Sequence, residues 1–138
     1  MGNKAYAKEW LVFGYRHMTA AKLLFKNGYY EDIIGIELQQ ALEKFIKAVM
    51  ADKNSKIPKE HDLVKLYFLI ENELSVNDKE LILLRIATDY YKENRYPNYT
   101  YNLPDKEEIK QVLLFCEELF SRVCSSLGIK TDEVIDAR

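Results

Sequence analysis

The chain has 138 residues, 48% of them hydrophobic and 30% charged, with a net charge of −2 at pH 7. This length suits one domain with a single core. No apolar run approaches the ~18 residues of a membrane span, and no export signal opens the chain. The charge excludes bulk coating of nucleic acid but permits a local basic patch. We therefore expect a cytoplasmic protein without membrane association.

Apolar residues recur at the 3.6-residue period of amphipathic helices along most of the chain. The predicted helices cover residues 6–25, 30–51, 61–74, 77–91 and 105–128. Capping pairs open the last two helices: Asn77 with Glu80, and Asp105 with Glu108. No alternating strand pattern occurs. We predict an all-α fold, an antiparallel bundle of about five helices in residues 1–128 with a short tail at 129–138.

The cysteines and histidines give no sign of a metal or redox site. Cys116 and Cys124 are eight residues apart on one predicted helix, or about 12 Å at 1.5 Å per residue. A disulfide needs Cα atoms within ~7 Å, so both residues are predicted to be buried, reduced thiols. His17 is predicted to lie at the core boundary, and His61 to cap a helix rather than to catalyse. We expect no metal and no cofactor.

Three basic residues are candidates for binding phosphate. Lys44 and Lys47 lie on the second predicted helix, and Arg95 follows the fourth. Glu43 stands four residues before Lys47, the favourable orientation for a helical ion pair. Because glycine-rich phosphate loops are missing from the sequence, side chains or helix ends must hold any phosphate. A lysine on a helix face is also often only solvated.

The most unusual segment joins the fourth and fifth predicted helices. It combines an arginine with aromatic and amide side chains: Arg95, Tyr96, Pro97, Asn98, Tyr99, Thr100 and Tyr101. The guanidinium group can grip a phosphate while tyrosine rings stack on bases, which suits nucleotides or single-stranded RNA. Alternatively, the tyrosines cover the open end of the bundle and Arg95 pairs with an acidic residue such as Glu43.

Several short motifs occur in an order and spacing that together resemble a HEPN domain (higher eukaryotes and prokaryotes nucleotide-binding). They are Trp10-Leu11, Gly28-Tyr29-Tyr30, Gln39-Gln40-Ala41-Leu42-Glu43-Lys44, Lys47-Ala48, His61-Asp62-Leu63 and Arg95-Tyr96-Pro97-Asn98. The resemblance spans roughly residues 5–127. It implies a bundle that usually dimerises and is commonly encoded beside a minimal nucleotidyltransferase, as a toxin–antitoxin or nucleotide-handling pair.

Many proteins of that family are metal-independent ribonucleases, with an arginine followed four to six residues later by a histidine. Arg95 matches the first half of this signature, but residues 100–102 are threonine, tyrosine and asparagine, and no histidine follows His61. Tyrosine, with a pKa of about 10, is a poor substitute for a group that must transfer a proton near neutral pH. The enzyme question therefore stays open, and the sequence favours little or no catalysis.

Three functional hypotheses follow from the sequence. The first is a dimeric nucleotide- or RNA-binding module with a nucleotidyltransferase partner. Its predicted ligand-binding residues are Arg95, Tyr96, Asn98, Tyr99, Tyr101, Glu43, Lys44, Lys47 and His61. The second is a ribonuclease toxin centred on Arg95, which would need His61 from another helix or subunit. The third is an interaction domain without a ligand, whose tyrosines form a protein contact surface.

Overall fold

A computed structural model of the chain describes residues 2–93 and 103–137, and within these ranges it contains helices and no strand. The helices are α1 (Lys4–Lys26), α2 (Glu31–Asp52), α3 (Leu63–Phe68), α4 (Asp78–Glu93), α5 (Lys106–Leu127) and α6 (Thr131–Ile135). The predicted all-α bundle is confirmed. None of the described helices is long and apolar enough to cross a bilayer.

Helix α2 is the central element of the bundle. It packs against α1, α3, α4 and α5, and most of its residues are buried. Two glycines allow its closest approaches to neighbouring helices. A Cβ atom added at Gly14 of α1 would lie 2.6 Å from the ring of Phe45, and one at Gly35 of α2 would lie 2.8 Å from the ring of Tyr90 on α4. Both contacts therefore require glycine's missing side chain.

Local sequence signals determine where several helices begin and end. The Asn77 side chain accepts a hydrogen bond from the Glu80 backbone N–H at 2.8 Å, and the Glu80 carboxylate accepts one from the Asn77 N–H at 3.0 Å. The Asp105 side chain caps α5 by accepting a hydrogen bond from the Glu108 backbone N–H at 2.8 Å. Gly128, with φ of 67°, ends α5 in the left-handed conformation. These predicted helix ends are confirmed.

Two segments differ from their predicted secondary structure. The third helix ends at Phe68, although its apolar pattern continues to Leu74, because the Tyr67 hydroxyl stabilises a turn. That hydroxyl donates to the carbonyl of Leu74 at 2.8 Å and accepts from the N–H of Val76 at 3.1 Å. Within residues 129–137, α6 packs on α1 and buries Val134. Apolar periodicity alone predicts neither the turn after Phe68 nor the packing of α6.

The sulfur and imidazole predictions outside the site are also confirmed. Cys116 and Cys124 are free and buried, and burial raises the pKa of the Cys124 thiol to about 11. Burial likewise raises the pKa of Cys116 far above its ordinary value. His17 lies at the boundary between α1 and α2, where its Nδ1 is 2.7 Å from a carboxylate oxygen of Glu37. These groups stabilise the bundle.

Candidate functional site

One hydrogen-bonded network connects the predicted site residues that the structure describes, namely Glu43, Lys44, Lys47 and His61. Two glutamines of α2 link them. The ammonium of Lys44 donates to the side-chain carbonyl of Gln40 at 2.9 Å. The side-chain amide N–H of Gln40 donates in turn to the side-chain carbonyl of Gln39 at 2.7 Å. Gln39 in turn donates to the carboxylate of Glu43 at 3.1 Å. Residues far apart in the sequence thus belong to one polar cluster.

The carboxylate of Glu43 is the centre of this network. Its Oε2 accepts from Nζ of Lys47 at 2.9 Å, and its Oε1 accepts from Nδ1 of His61 at 2.8 Å. Burial raises the pKa of Glu43, but the hydrogen bonds from Lys47, His61 and Gln39 together outweigh burial and leave this pKa below its ordinary value. The carboxylate is therefore ionised at neutral pH although it lies inside the protein.

The predicted ion pair between Glu43 and Lys47 is confirmed, but its location differs from a solvated helix face. Both residues are only 4% exposed. Nζ of Lys47 lies 5.9 Å from the ring centroid of Trp10 on α1, and Gln39 donates to the backbone carbonyl of His61 at 2.9 Å. The indole and the chain preceding α3 therefore cover this face of α2 and exclude water from it.

His61 is held between a carboxylate and an aromatic ring. A carboxylate only accepts hydrogen bonds, so Nδ1 of His61 carries the proton in this contact. The imidazole also stacks on Tyr91 of α4, with ring centroids 4.5 Å apart and planes inclined by 30°. Its side chain is 45% exposed, and Nε2 has no hydrogen-bond partner in the described parts of the chain. In the neutral ring, Nε2 is consequently a hydrogen-bond acceptor.

The predicted capping role of His61 is wrong, because the adjacent Asp62 caps α3. The Asp62 side chain accepts from the N–H groups of Val64 at 3.0 Å and Lys65 at 3.2 Å. The Glu60 carboxylate accepts from the N–H groups of His61 and Asp62 at 3.1 and 3.2 Å. The backbone of His61 is fixed in this way, and its imidazole takes no part in capping α3.

A buried threonine anchors the start of α3 to α4. The hydroxyl of Thr88 accepts from the N–H of Leu63 at 3.0 Å and donates to the carbonyl of Leu84 at 2.9 Å. This contact places His61 beside the last turn of α4. Because it consists of two buried hydrogen bonds, it makes the position of the imidazole relative to Tyr91 well defined.

Two adjoining pockets open at this junction of α3 and α4. A pocket of about 220 Å³ includes His61 and Tyr91 in its walls, and one of about 340 Å³ continues along α4 to Arg85. Their shared walls are Asp62, Lys65, Thr88 and Lys92. Lys65, Arg85 and Lys92 are not among the site residues predicted from the sequence. The recurrence of basic residues at 85 and 92, two turns apart on one helix, was an available signal for this face.

The remaining predicted site residues are Arg95, Tyr96, Asn98, Tyr99 and Tyr101, and all of them lie outside the described residues. The predicted alternative, an ion pair between Arg95 and Glu43, therefore also lies outside the described residues. The described part of helix α4 reaches Glu93, two residues before Arg95 in the sequence. Among the residues described, no group of three or more His, Cys, Asp or Glu side chains could hold a metal ion.

The described residues form an all-α bundle, and this fold class is typical of HEPN domains. The family model for the HEPN domain matches residues 7–127. Since this match covers most of the chain, the protein belongs to the HEPN domain family, which is generally associated with nucleotides or RNA. The curated proteins contain no match to the chain.

Proposed function

We propose that the chain is a HEPN module that binds a nucleotide, free or within RNA, at His61 and Tyr91. The main support is the His61 imidazole, which is fixed by the buried Glu43 carboxylate, stacked on a tyrosine and partly exposed. A base can extend such an aromatic stack, and an imidazole nitrogen can hydrogen-bond to its edge or to the sugar. The adjoining pocket supplies the necessary space.

In this proposal the segment after α4 completes the site. Arg95 comes four residues after Tyr91, and its guanidinium group binds the phosphate of the same nucleotide through paired hydrogen bonds. Tyr96, Tyr99 and Tyr101 supply further stacking surfaces, and Asn98 supplies hydrogen bonds to a base. Lys44 and Lys47 act indirectly, since both belong to the network that orients His61.

The proposal also includes protein partners, namely a second copy of the chain and a minimal nucleotidyltransferase in a toxin–antitoxin-like pair. Large apolar side chains at the surface, among them Phe13, Leu23, Tyr30 and Leu114, offer contact area for such partners. Size-exclusion chromatography with light scattering tests the dimer. A tagged pull-down from the native cells tests the nucleotidyltransferase, and recovery of the monomer alone would contradict this part of the proposal.

Fluorescence anisotropy with a labelled single-stranded RNA, together with competition by nucleoside monophosphates, tests the ligand site. His61→Ala and Arg95→Ala are each expected to weaken binding about tenfold or more, because one base–aromatic stack contributes about 1–3 kcal/mol. Tyr91→Phe preserves the stacking ring and should bind almost normally, as should the control Lys110→Ala on the exposed face of α5. Equal affinities for all four variants would refute the site and support the third hypothesis, an interaction domain without a ligand.

A second candidate function, metal-independent ribonuclease, is favoured by the Glu43–His61 pair. With Nδ1–H held by the carboxylate, Nε2 is oriented as a general base, although it comes from the chain before α3 rather than from a position after Arg95. In such a reaction Nε2 takes the proton of a ribose 2′-hydroxyl and the 2′-oxygen attacks phosphorus. The 5′-oxygen then leaves with a proton from solvent, giving a 2′,3′-cyclic phosphate.

Incubation of RNA in EDTA, with detection of the cyclic phosphate, tests this activity separately from binding. His61→Ala and Arg95→Ala should each abolish cleavage, whereas Lys110→Ala should cleave as the wild type does. RNA that binds but stays intact would contradict the ribonuclease and leave the binding module as the function. Cleavage that persists in His61→Ala would exclude Nε2 as the base.

A further inference from the structure

A groove between the start of α3 and α4 extends from the His61 pocket and is lined by three cationic side chains, Lys65, Arg85 and Lys92. We propose that this groove binds the phosphate backbone of a single-stranded RNA that continues beyond the nucleotide at His61 and Tyr91. This inference rests on the proposed function and makes it specific. The ligand is then an oligonucleotide, and Arg85, which lines only the larger pocket, contacts a phosphate outside the nucleotide site.

The first support is that these cations have no ion-pair partner in the part of the chain that the structure describes. Within residues 2–93 and 103–137, none of the three forms an ion pair with a carboxylate. Two carboxylates of the same groove are already engaged, since Glu60 and Asp62 accept hydrogen bonds from backbone N–H groups. The three cations are therefore not held in ion pairs by these carboxylates and can reach a phosphate, while Glu60, Asp62 and Asp89 keep their own negative charges in the groove.

The second support is the arrangement of the cations along the groove. Arg85 and Lys92 are seven residues apart on one face of α4, or about 10 Å along the helix axis. Lys65 faces them from α3 and lines both pockets. An elongated array that begins beside a stacking site suits the successive phosphates of a strand better than the single phosphate group of a mononucleotide.

Asp89 provides an independent feature of the same groove. It lines the larger pocket between Arg85 and Lys92 in sequence, and no described residue pairs with its carboxylate. A phosphate in this groove approaches that negative charge, which opposes binding. Substitution by the neutral, isosteric asparagine is therefore expected to increase affinity for RNA, whereas substitution of the cations decreases it.

The test compares two triple variants that remove the same net charge. The groove variant is Lys65→Ala/Arg85→Ala/Lys92→Ala, and the control is Lys79→Ala/Lys110→Ala/Lys130→Ala, which removes exposed lysines elsewhere. Binding of a labelled RNA of about ten nucleotides is measured against KCl concentration, and labelled AMP is measured in parallel. Thermal melting by circular dichroism establishes that every variant is folded.

We expect the groove variant to bind RNA more weakly than the wild type. The slope of log affinity against log salt should fall by about 0.7 for each phosphate that the variant no longer neutralises. Its affinity for AMP should fall by a smaller factor than its affinity for RNA, because Lys65 and Lys92 also line the His61 pocket whereas Arg85 does not. The control variant should retain both affinities and the slope. Asp89→Asn should bind RNA more tightly. These results together would establish the groove as the path of the strand.

The outcomes separate this inference from the proposed function. If the groove and control variants bind RNA equally, or if the wild type binds AMP as tightly as RNA, the groove proposal is overturned while the His61 site stands. If the wild type binds neither probe, the proposed function fails and the groove proposal fails with it. A groove variant whose affinities for RNA and AMP fall equally would also count against a separate backbone path.

Discussion

Replacement of Glu43 by glutamine tests whether one buried carboxylate holds the candidate site together. The amide keeps the shape of the side chain but has no charge and has one acceptor oxygen instead of two. Lys47, whose side chain is 6% exposed, then loses its ionic partner inside the protein. His61 Nδ1 must compete with Lys47 and Gln39 for the remaining oxygen.

The expected cost follows from the burial of this pair. Removing one partner of a buried ion pair destabilises a protein by about 3–5 kcal/mol, because an uncompensated charge remains. We expect the lower end of this range for Glu43→Gln, since the ring of Trp10 still faces the ammonium of Lys47. A second substitution, Lys47→Met, removes the stranded charge. The double variant should therefore be more stable than Glu43→Gln alone.

Urea unfolding followed by circular dichroism measures these differences, and its pH dependence checks their cause. The folded-state pKa of Glu43 is below the ordinary value of 4.5. The ionised carboxylate therefore stabilises the fold above pH 4.5, and this contribution is lost as the pH falls through the folded-state pKa. The difference between wild type and Glu43→Gln should shrink over that interval. If Glu43→Gln lowered the free energy of unfolding by less than about 1 kcal/mol at neutral pH, or by the same amount at every pH, the reasoning would be refuted.

Two further predictions concern packing and an inter-helix ion pair. Gly14→Ala should lower the melting temperature, because overpacking against Phe45 costs about 1–3 kcal/mol whereas the gain in helix propensity is only about 1 kcal/mol. An unchanged or raised melting temperature would contradict the close approach of Gly14 to the ring of Phe45. Arg122→Lys should cost about 1 kcal/mol at pH 7, since Arg122 is 33% exposed and donates to both oxygens of Glu80. The bond from Arg122 lowers the pKa of Glu80 below 4.5, so this cost should fade below that pH; urea titrations that show the same cost at every pH would argue against it.

Features determined by neighbouring residues could be predicted from the sequence, and features determined by tertiary contacts could not. The caps at Asn77 and Asp105 and the ion pair of Glu43 with Lys47 involve residues three or four positions apart, so spacing alone identifies them. Burial of that ion pair depends on Trp10 from another helix. No local pattern contains that information.

The position of His61 shows the same limit. Its contact with Glu43 spans 18 residues and its stack on Tyr91 joins two elements, so the sequence assigned it to a helix cap instead. The groove cations were not predicted because Lys65 and Arg85 are on different helices and line one pocket only in the folded protein. The hydrogen bond from the Leu63 N–H to Thr88 joins these two helices. Single exposed lysines and arginines give no such indication, since most are merely solvated.

Gly35 has a consequence for specificity, although it is not part of the site. The missing side chain at this position lets α2 and α4 approach closely at Tyr90. The next residue on α4, Tyr91, forms one wall of the pocket. Helix α2 carries Glu43, which holds His61. The contact between the imidazole and the phenol therefore depends on the spacing of two helices. A larger residue at position 35 would push these helices apart and weaken the ring stack that a base extends, without altering any group that touches the ligand.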